Sequence, residues 1–196
     1  MTINDDQYYI DQIIQGDTNA FTILVDRYKD LVFTLSLRML KNREEAEEVA
    51  QDTFIKVYKS LYRFKGDSKF STWIYKIAYN ASLDRLKKNK KHLNNVAINE
   101  FTAHEVKTID NALGKLENEE REQAIKKCLD LLPSDDGFLL TLYYYEELSL
   151  EEISQTIGLT PNNVKVKLFR SRKKLATILK QQLEPELIED YERERQ

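Results

Sequence analysis

Cysteine, histidine, glycine and proline are all scarce in this chain of 196 residues. One cysteine excludes an intramolecular disulfide, and two histidines far from it in sequence supply too few ligands for a structural zinc site. Five glycines and three prolines are few, which favours helices over turn-rich β architecture. We therefore expect a helical protein that has no cofactor.

Long apolar runs and a targeting segment are also missing. No stretch approaches the roughly 20 apolar residues that cross a bilayer, and the start of the chain, MTINDDQYYI, has neither the basic nor the apolar part of a secretory signal. We therefore expect a cytoplasmic protein without membrane insertion. The chain also lacks a glycine-rich phosphate loop, a histidine-rich metal cluster and a recognisable catalytic triad, so an enzyme is disfavoured.

Charge is abundant but unevenly distributed. The chain has 33 acidic residues against 30 lysines and arginines, a net charge of −3. Residues 59–91 nevertheless carry ten positive and two negative charges, and residues 160–183 carry seven positive charges and no acid. Two basic zones on an acidic chain indicate two separate sites that bind polyanions, rather than nonspecific binding of polyanions over the whole surface.

Hydrophobic spacing predicts an all-α fold. Apolar residues recur at three- and four-residue intervals over 4–41, with a break near Gly16, and again over 43–61. The residues of the second helix that share its inward face are Ala46, Val49, Ala50, Thr53, Val57 and Leu61. Ser71 is positioned to cap a third helix over 72–88. No alternation typical of strands is present, so we expect helices throughout.

The same periodicity divides the chain into two small helical domains. Residues 1–92 form an N-terminal helical bundle, and residues 93–119 are polar and weakly periodic, which predicts a flexible linker. Helical periodicity returns over 120–182, the predicted C-terminal helix-turn-helix domain. An acidic tail occupies 183–196. We expect it to be a disordered extension without a role; competition with DNA for the basic helix is the alternative.

The segment SLEEISQTIGLTPNNVKVKLFRSRKKL has the pattern of a helix-turn-helix. Ser149 and Glu152 have the spacing of a capping box for a short helix. Gly158 follows where a tight turn needs positive φ, Leu159 is expected to enter the core, and Thr160 caps the second helix. A short helix, a glycine turn and a capped second helix form the DNA-reading motif.

One face of that second helix suits DNA. At about 100° per residue, Val164, Leu168 and Ser171 turn inward. The opposite face carries Asn162, Val166, Phe169, Arg170 and Lys173, with Asn163 and Lys165 beside them. Arginine and asparagine suit base edges, whereas lysine neutralises phosphates. A merely solvated basic helix is the alternative, but an outward phenylalanine among basic residues favours DNA reading.

The first basic zone is built differently. It places Lys76, Asn80, Leu83 and Lys87 on the outer face of its helix, with Tyr79 beside them and Trp73 near the start. Aromatics among basic residues suit single-stranded nucleic acid, and the preceding loop, with Gly66, Asp67 and Ser68, can hold a flipped base. The alternative makes Trp73, Tyr75 and Tyr79 core aromatics; helical spacing leaves both interpretations open for Trp73 and Tyr75.

The helix over 43–61 has an unusual outer face, formed by Glu48, Gln51, Asp52 and Ile55. An exposed isoleucine among acids is typical of a protein interface. A solvated acidic face with a single apolar residue is the competing interpretation, and helical spacing does not choose between them.

Two blocks of sequence resemble a known family. EEAEEVAQDTFIKVYKSLYRFKGDSKFSTWIYKIAYNASLDRLKK resembles the second region of extracytoplasmic-function (group IV) sigma factors of bacterial RNA polymerase. LLPSDDGFLLTLYYYEELSLEEISQTIGLTPNNVKVKLFRSRKKL resembles their fourth region. The order and spacing of the blocks, and the polar linker between them, also match this family. The resemblance implies a promoter-recognition subunit that is not an enzyme.

The resemblance assigns roles to particular positions. It implies docking on the clamp of the largest subunit of core RNA polymerase through Glu48, Gln51, Asp52, Phe54 and Ile55. It implies melting and recognition of the promoter minus-ten element through Lys65, Gly66, Asp67, Ser68, Lys69, Trp73, Lys76, Tyr79 and Asn80. It implies recognition of the minus-thirty-five element through Asn162, Asn163, Lys165, Val166, Phe169, Arg170 and Lys173. Further implied partners are the flap of the second-largest subunit and an anti-sigma factor.

Some positions depart from the family pattern. Asp135 and Asp136 stand where the family usually begins a basic or charged helix, and Glu147 stands where glycine is frequent. A stand-alone helix-turn-helix regulator is the alternative function. Such a regulator would require a dimer with paired recognition helices. This alternative also gives no role to residues 64–88, whose basic and aromatic side chains suit single-stranded nucleic acid.

Overall fold

The computed structural model describes residues 4–89 and 118–182, and these residues form only helices and connecting turns. The helices are α1 (Asn4–Ile14), α2 (Ala20–Leu40), α3 (Arg43–Ser60), α4 (Phe70–Asn89), α5 (Asn118–Leu131), α6 (Ser134–Tyr144), α7 (Leu150–Ile157) and α8 (Pro161–Gln182). A 3₁₀ turn, Leu61–Arg63, follows α3. The all-α prediction is confirmed. Apart from its last two residues, the predicted linker 93–119 lies outside the described residues, as does the tail 183–196.

In the N-terminal half, α2, α3 and α4 pack side by side. Lys41 ends α2 in the left-handed conformation, at φ 56°, and the side chain of Asn42 accepts a hydrogen bond from the Glu45 amide to start α3. The inward face predicted for α3 is buried, namely Ala46, Val49, Ala50, Thr53, Val57 and Leu61. The predicted cap was wrong: α4 begins at Phe70, so Ser71 lies inside the helix.

In the C-terminal half, the predicted capping box, glycine turn and helix cap are present at the start of α7 and between α7 and α8. Ser149 and Glu152 form both hydrogen bonds of a capping box at the start of α7. Gly158 adopts φ 71° after that helix, and the Thr160 hydroxyl accepts a hydrogen bond from the Asn163 amide at 3.3 Å. Leu159 was expected in the core but is 38% exposed. It lies on the tight turn, while Ile153 of α7 and Val164 of α8 fill the buried positions.

The two halves share one continuous hydrophobic core. Helix α2 packs against α6, and α4 packs against α7. At the first of these contacts a Cβ on Gly137 would lie 3.0 Å from the carbonyl oxygen of Leu129 and 3.7 Å from the Cβ of Arg38. Glycine therefore permits the close approach of three helices. Hydrophobic spacing cannot show that the halves pack together, because it records only that each helix has an apolar side.

Candidate nucleic-acid and polymerase interfaces

Helix α8 presents the face expected to meet DNA. Its exposed residues are Asn162, Asn163, Lys165, Val166, Phe169 and Arg170. Lys173 is half-buried, and its ammonium lies 4.8 Å from the centroid of the Phe169 ring. Val164, Leu168 and Ser171 are buried on the opposite side, as the helical spacing predicted. The predicted outer and inner faces of α8 are therefore the observed ones.

The buried side of α8 is held by acids of α6. The Asp136 side chain, only 6% exposed, accepts hydrogen bonds from the Ser171 hydroxyl at 2.5 Å and the Lys174 ammonium at 2.6 Å. The Lys167 ammonium lies 3.4 Å from the Asp135 carboxylate. The acids that depart from the family pattern thus attach the helix to its neighbour.

This arrangement sorts the basic residues of the helix by role. Lys167 and Lys174 are paired with acids of α6, and the Arg172 guanidinium stacks over the rings of Tyr143 and Tyr144 at 4.9 and 5.4 Å. Lys165, Arg170 and Lys173 remain on the outer face. The sequence run alone does not separate these two groups, because their partners lie on another helix.

The loop before α4 and the first turns of α4 carry the residues assigned to the minus-ten element. Lys65, Gly66, Asp67, Lys69, Lys76 and Asn80 are exposed, and Ser68, Trp73 and Tyr79 are half-buried. The Trp73 ring packs against Phe64 and Phe70, with centroids 5.3 and 5.7 Å away. Tyr75 is 1% exposed, so the core interpretation holds for that residue. Trp73 belongs partly to the core and partly to the surface.

Two of these residues meet the C-terminal half. The ring of Tyr79 lies 5.0 Å, centroid to centroid, from that of Phe138. Burial, together with the nearby charge of Asp135, raises the pKa of Tyr79 to about 12. The Lys69 ammonium lies 2.7 Å from the Glu152 carboxylate. The candidate minus-ten surface is therefore not freely open in this structure.

The outer face of α3 combines acids with apolar side chains. Glu48, Gln51, Asp52 and Ile55 are exposed, and Phe54 is half-buried against the core. The Glu48 carboxylate accepts a hydrogen bond from Arg85 at 2.8 Å. Sequence reasoning missed two exposed tyrosines nearby, Tyr58 on α3 and Tyr62 on the 3₁₀ turn that follows it. Their spacing of three and seven residues from Ile55 was the signal that could have found them.

Residues 4–89 and 118–182 contain no group of three or more His, Cys, Asp or Glu side chains placed to hold a metal ion. None of the described helices is both long and apolar enough to cross a membrane.

Known protein families match both halves of the chain. The family model of Sigma-70 region 2 matches residues 24–92, and that of Sigma-70 region 4 matches residues 122–175. The RNA polymerase sigma-H factor of Pseudomonas aeruginosa is 32% identical over 88% of this chain and 92% of its own length. The ECF RNA polymerase sigma factor SigW of Bacillus subtilis is 36% identical over 85% of this chain and 92% of its own length.

Solved structures share the fold. CnrH, solved in complex with the cytosolic domain of CnrY, aligns with a TM-score of 0.58 at 22% identity, over 91% of this chain and 99% of that one. The sigma factor RpoE of Bartonella quintana, solved with the anti-sigma factor NepR, aligns with a TM-score of 0.60 at 20% identity, over 83% of this chain and 98% of that one. The two family models and the extent of the sequence similarity identify the chain as a member of the extracytoplasmic-function family of RNA polymerase sigma factors.

Proposed function

We propose that this sigma factor directs transcription initiation through three surfaces on two domains, 1–92 and 120–182, and is not itself an enzyme. One surface docks on core polymerase, one binds the melted minus-ten element, and one reads the minus-thirty-five element. The observation that carries the proposal is the division of charge on α8. Acids of α6 neutralise its inner side, whereas Lys165, Arg170 and Lys173 stay on the outer side.

The outer face of α8 reads the minus-thirty-five element in the major groove. Arg170 and the asparagines of the first turn reach base edges, and Val166 and Phe169 offer apolar contacts to thymine methyl groups. Lys165 and Lys173 neutralise phosphates. The face comprises Asn162, Asn163, Lys165, Val166, Phe169, Arg170 and Lys173, and the exposure of six of these seven supports the assignment.

The loop before α4 and the outer side of α4 bind the non-template strand of the minus-ten element. Gly66 adopts φ 74° in this loop, and Lys65, Gly66 and Asp67 are exposed there and offer backbone and side-chain groups to an extruded base. Lys76 and Asn80 are exposed one turn apart along α4 and can follow the strand. The set comprises Lys65, Gly66, Asp67, Ser68, Lys69, Trp73, Lys76, Tyr79 and Asn80.

The outer face of α3 docks on the clamp of the largest polymerase subunit through Glu48, Gln51, Asp52, Phe54 and Ile55. Exposed apolar residues beside acids support an interface there. The C-terminal domain contacts the flap of the second-largest subunit, and the linker 93–119 passes near the active-site cleft. An anti-sigma factor is a further partner, because the sigma factor RpoE, which shares this fold, was solved with the anti-sigma factor NepR.

Run-off transcription with purified core polymerase on genomic promoter DNA tests the proposal. Arg170→Ala should weaken initiation on promoters that need the minus-thirty-five element by roughly 1–3 kcal/mol, about five- to 150-fold. Lys127→Ala is the matched control, since Lys127 is an exposed basic residue on α5 outside the proposed DNA faces. Tight sequence-specific binding by the protein alone, without polymerase-dependent initiation, would favour the stand-alone regulator instead.

Asp52→Arg separates polymerase docking from DNA recognition. The reversed charge should disrupt co-elution with core polymerase while α8 keeps its contacts to minus-thirty-five DNA. Asp30→Arg makes the same charge change at an exposed position of α2 and should leave both unchanged. Normal polymerase binding by Asp52→Arg would remove α3 from the proposed docking surface.

A further inference from the structure

Helix α1 lies beside the loop assigned to the extruded base. The family model of Sigma-70 region 2 begins at residue 24, so α1 precedes the matched segment. The helix packs against α2 and against the 3₁₀ turn that leads into the loop. A Cβ placed on Gly66 would lie 4.0 Å from Oε1 of Gln7 on α1. Gln7 is therefore a neighbour of this loop, although none of the three proposed surfaces includes it.

The end of α1 that carries Gln7 is anchored near the start of α4. Ile10, in the middle of the helix, is completely buried. The Asp6 carboxylate accepts a hydrogen bond of 2.5 Å from the Tyr28 hydroxyl. The edge of the Tyr28 ring meets the ring of Phe70, the first residue of α4, with centroids 5.8 Å apart. Because these contacts lie on both sides of Gln7 along α1, they fix its backbone relative to the loop.

The amide of Gln7 has a defined orientation. Its Nε2 donates a hydrogen bond of 2.8 Å to the Asp11 carboxylate, one turn further along α1. An ionised carboxylate can only accept hydrogen bonds, so Asp11 holds the NH₂ group and leaves the amide oxygen at the other end. That oxygen is the atom nearest to the position of a Cβ on Gly66. Both side chains are exposed. Gln7 therefore presents an acceptor, and not a donor, beside the loop.

An acceptor at this place can tell one class of base from another. Enzymes and factors that extrude a base read it through hydrogen bonds to its exposed edge. Adenine and cytosine carry an exocyclic amino group on that edge, whereas guanine and thymine carry a keto oxygen there. An amino group satisfies the amide oxygen of Gln7, but a keto oxygen leaves two acceptors facing each other without a proton between them. The arrangement favours an amino base.

From this geometry we propose that Gln7 reads the base extruded into the loop before α4, by accepting a hydrogen bond from the exocyclic amino group of adenine or cytosine. Asp11 is the positioning residue that holds the amide in the accepting orientation. This reading role rests on the proposed minus-ten role of the loop. It adds α1 to the minus-ten surface and assigns base specificity to a residue that precedes the matched region 2.

The chemistry of the contact sets the size of the effect. Loss of one neutral hydrogen bond shifts an equilibrium by about two- to tenfold. A wrong base at a position read through hydrogen bonds costs more, about five- to 150-fold, because it also leaves polar groups unpaired. Promoters with adenine or cytosine at the extruded position should therefore open about tenfold more readily than promoters with guanine or thymine.

Gln7→Met is the test variant, because methionine keeps the length of the side chain but removes the amide. Gln15→Met is the matched control: it makes the same change at an exposed residue about two helical turns further along, just beyond α1. Asp11→Ala is the second variant. It leaves the amide of Gln7 free to turn its NH₂ group towards a keto oxygen. Thermal melting followed by circular dichroism checks that each variant folds.

The measurement uses the full chain bound to core polymerase. Each position of the minus-ten element of one active promoter is changed to all four bases in turn, and heparin-resistant open complexes are counted by filter retention. With the unmodified chain, one position should prefer an amino base about tenfold. Gln7→Met should reduce that preference to within about twofold, and Asp11→Ala should reduce it by improving guanine and thymine. Gln15→Met should leave it unchanged.

Three outcomes overturn the role of Gln7. These are no position that separates amino from keto bases, an unchanged preference in Gln7→Met, and an equal loss with all four bases, which would make Gln7 a structural support only. Lys76→Ala and Asn80→Ala test the minus-ten assignment separately. If these two variants open every promoter normally, that assignment fails; if they open all promoters poorly while Gln7→Met keeps the preference, only the role of Gln7 fails.

Discussion

Asp136 on α6 offers a sharp test of how α8 is held in place. Its buried carboxylate accepts hydrogen bonds from Ser171 and Lys174. Asp136→Asn keeps the shape and one acceptor oxygen but removes the charge that faces the Lys174 ammonium. The Lys174 side chain is 34% exposed, so water screens part of the pair. The loss should lie near the range of about 1.5–3 kcal/mol for hydrogen bonds to charged groups, below the roughly 3–5 kcal/mol of a fully buried pair.

We therefore expect Asp136→Asn to lower the free energy of unfolding by about 2 kcal/mol, measured by urea denaturation at neutral pH. Asp135→Asn is the matched control, because Asp135 meets only Lys167, at 3.4 Å, and both side chains are partly exposed. It should cost less than about 1 kcal/mol. A loss as large as that of Asp136→Asn would show that any charge change at the start of α6 is harmful.

A double-mutant cycle with Lys174→Met isolates the pair itself. The coupling energy should exceed about 1 kcal/mol, because either single change leaves a partner without its counter-charge. Strict additivity would refute the pairing. Lys174→Met should also leave the affinity for minus-thirty-five DNA within about twofold of a variant destabilised equally elsewhere, since we assign Lys174 to the interior rather than to phosphate contacts.

Two further predictions concern backbone strain and a buried phenol. Glu147 adopts φ 50°, a conformation that costs a residue other than glycine roughly 1–2 kcal/mol. Replacing Glu147 by glycine relieves this strain, but the greater freedom of glycine in the unfolded chain offsets about 0.4–1 kcal/mol of the stability gained. Glu147→Gly should thus raise the free energy of unfolding by about 0.5–1 kcal/mol, and a decrease would contradict the strain argument. The Tyr79 pKa of about 12 exceeds its ordinary value of 10.0, so its contribution to stability is complete below pH 10 and is lost as pH rises towards 12. Spectrophotometric titration should show that Tyr79→Phe removes an ionisation near pH 12; loss of one near pH 10 instead would mean that Tyr79 is not buried against Phe138.

Local features of the structure were largely predictable. The Ser149–Glu152 capping box, the Gly158 turn and the Asn42 cap join groups within three or four residues of one another, so their geometry depends on few dihedral angles. The inward faces of α3 and α8 followed from helical spacing for the same reason. The errors came where local signals compete: Ser71 can cap a helix, but α4 already begins at Phe70.

The exposure or burial of some predicted site residues follows from neighbouring residues in the sequence, whereas that of others depends on residues far along the chain. The exposure of Phe169 and Arg170 follows from the helical period of α8 alone. The burial of Tyr75, for which spacing left two interpretations open, depends on contacts distant in sequence, such as those with Tyr28 and with Glu146, which lies 71 positions away in the chain. The separation of Lys174 from Lys173 likewise depends on Asp136, a residue on another helix.

The sequence by itself determined the helices, the caps at Ser149 and Thr160, the two basic zones and the family, because each of these is a pattern of neighbouring residues or of residue types in order. Only the tertiary structure decided which charges face solvent and which face each other, and that the C-terminal half contacts residues of the candidate minus-ten surface. The physical reason is that pairs such as Lys69–Glu152 form between surfaces that meet only after the helices have packed. Helical periodicity shows that one face of a helix is apolar, but which other helix packs against that face depends on the shape and charge of the whole chain.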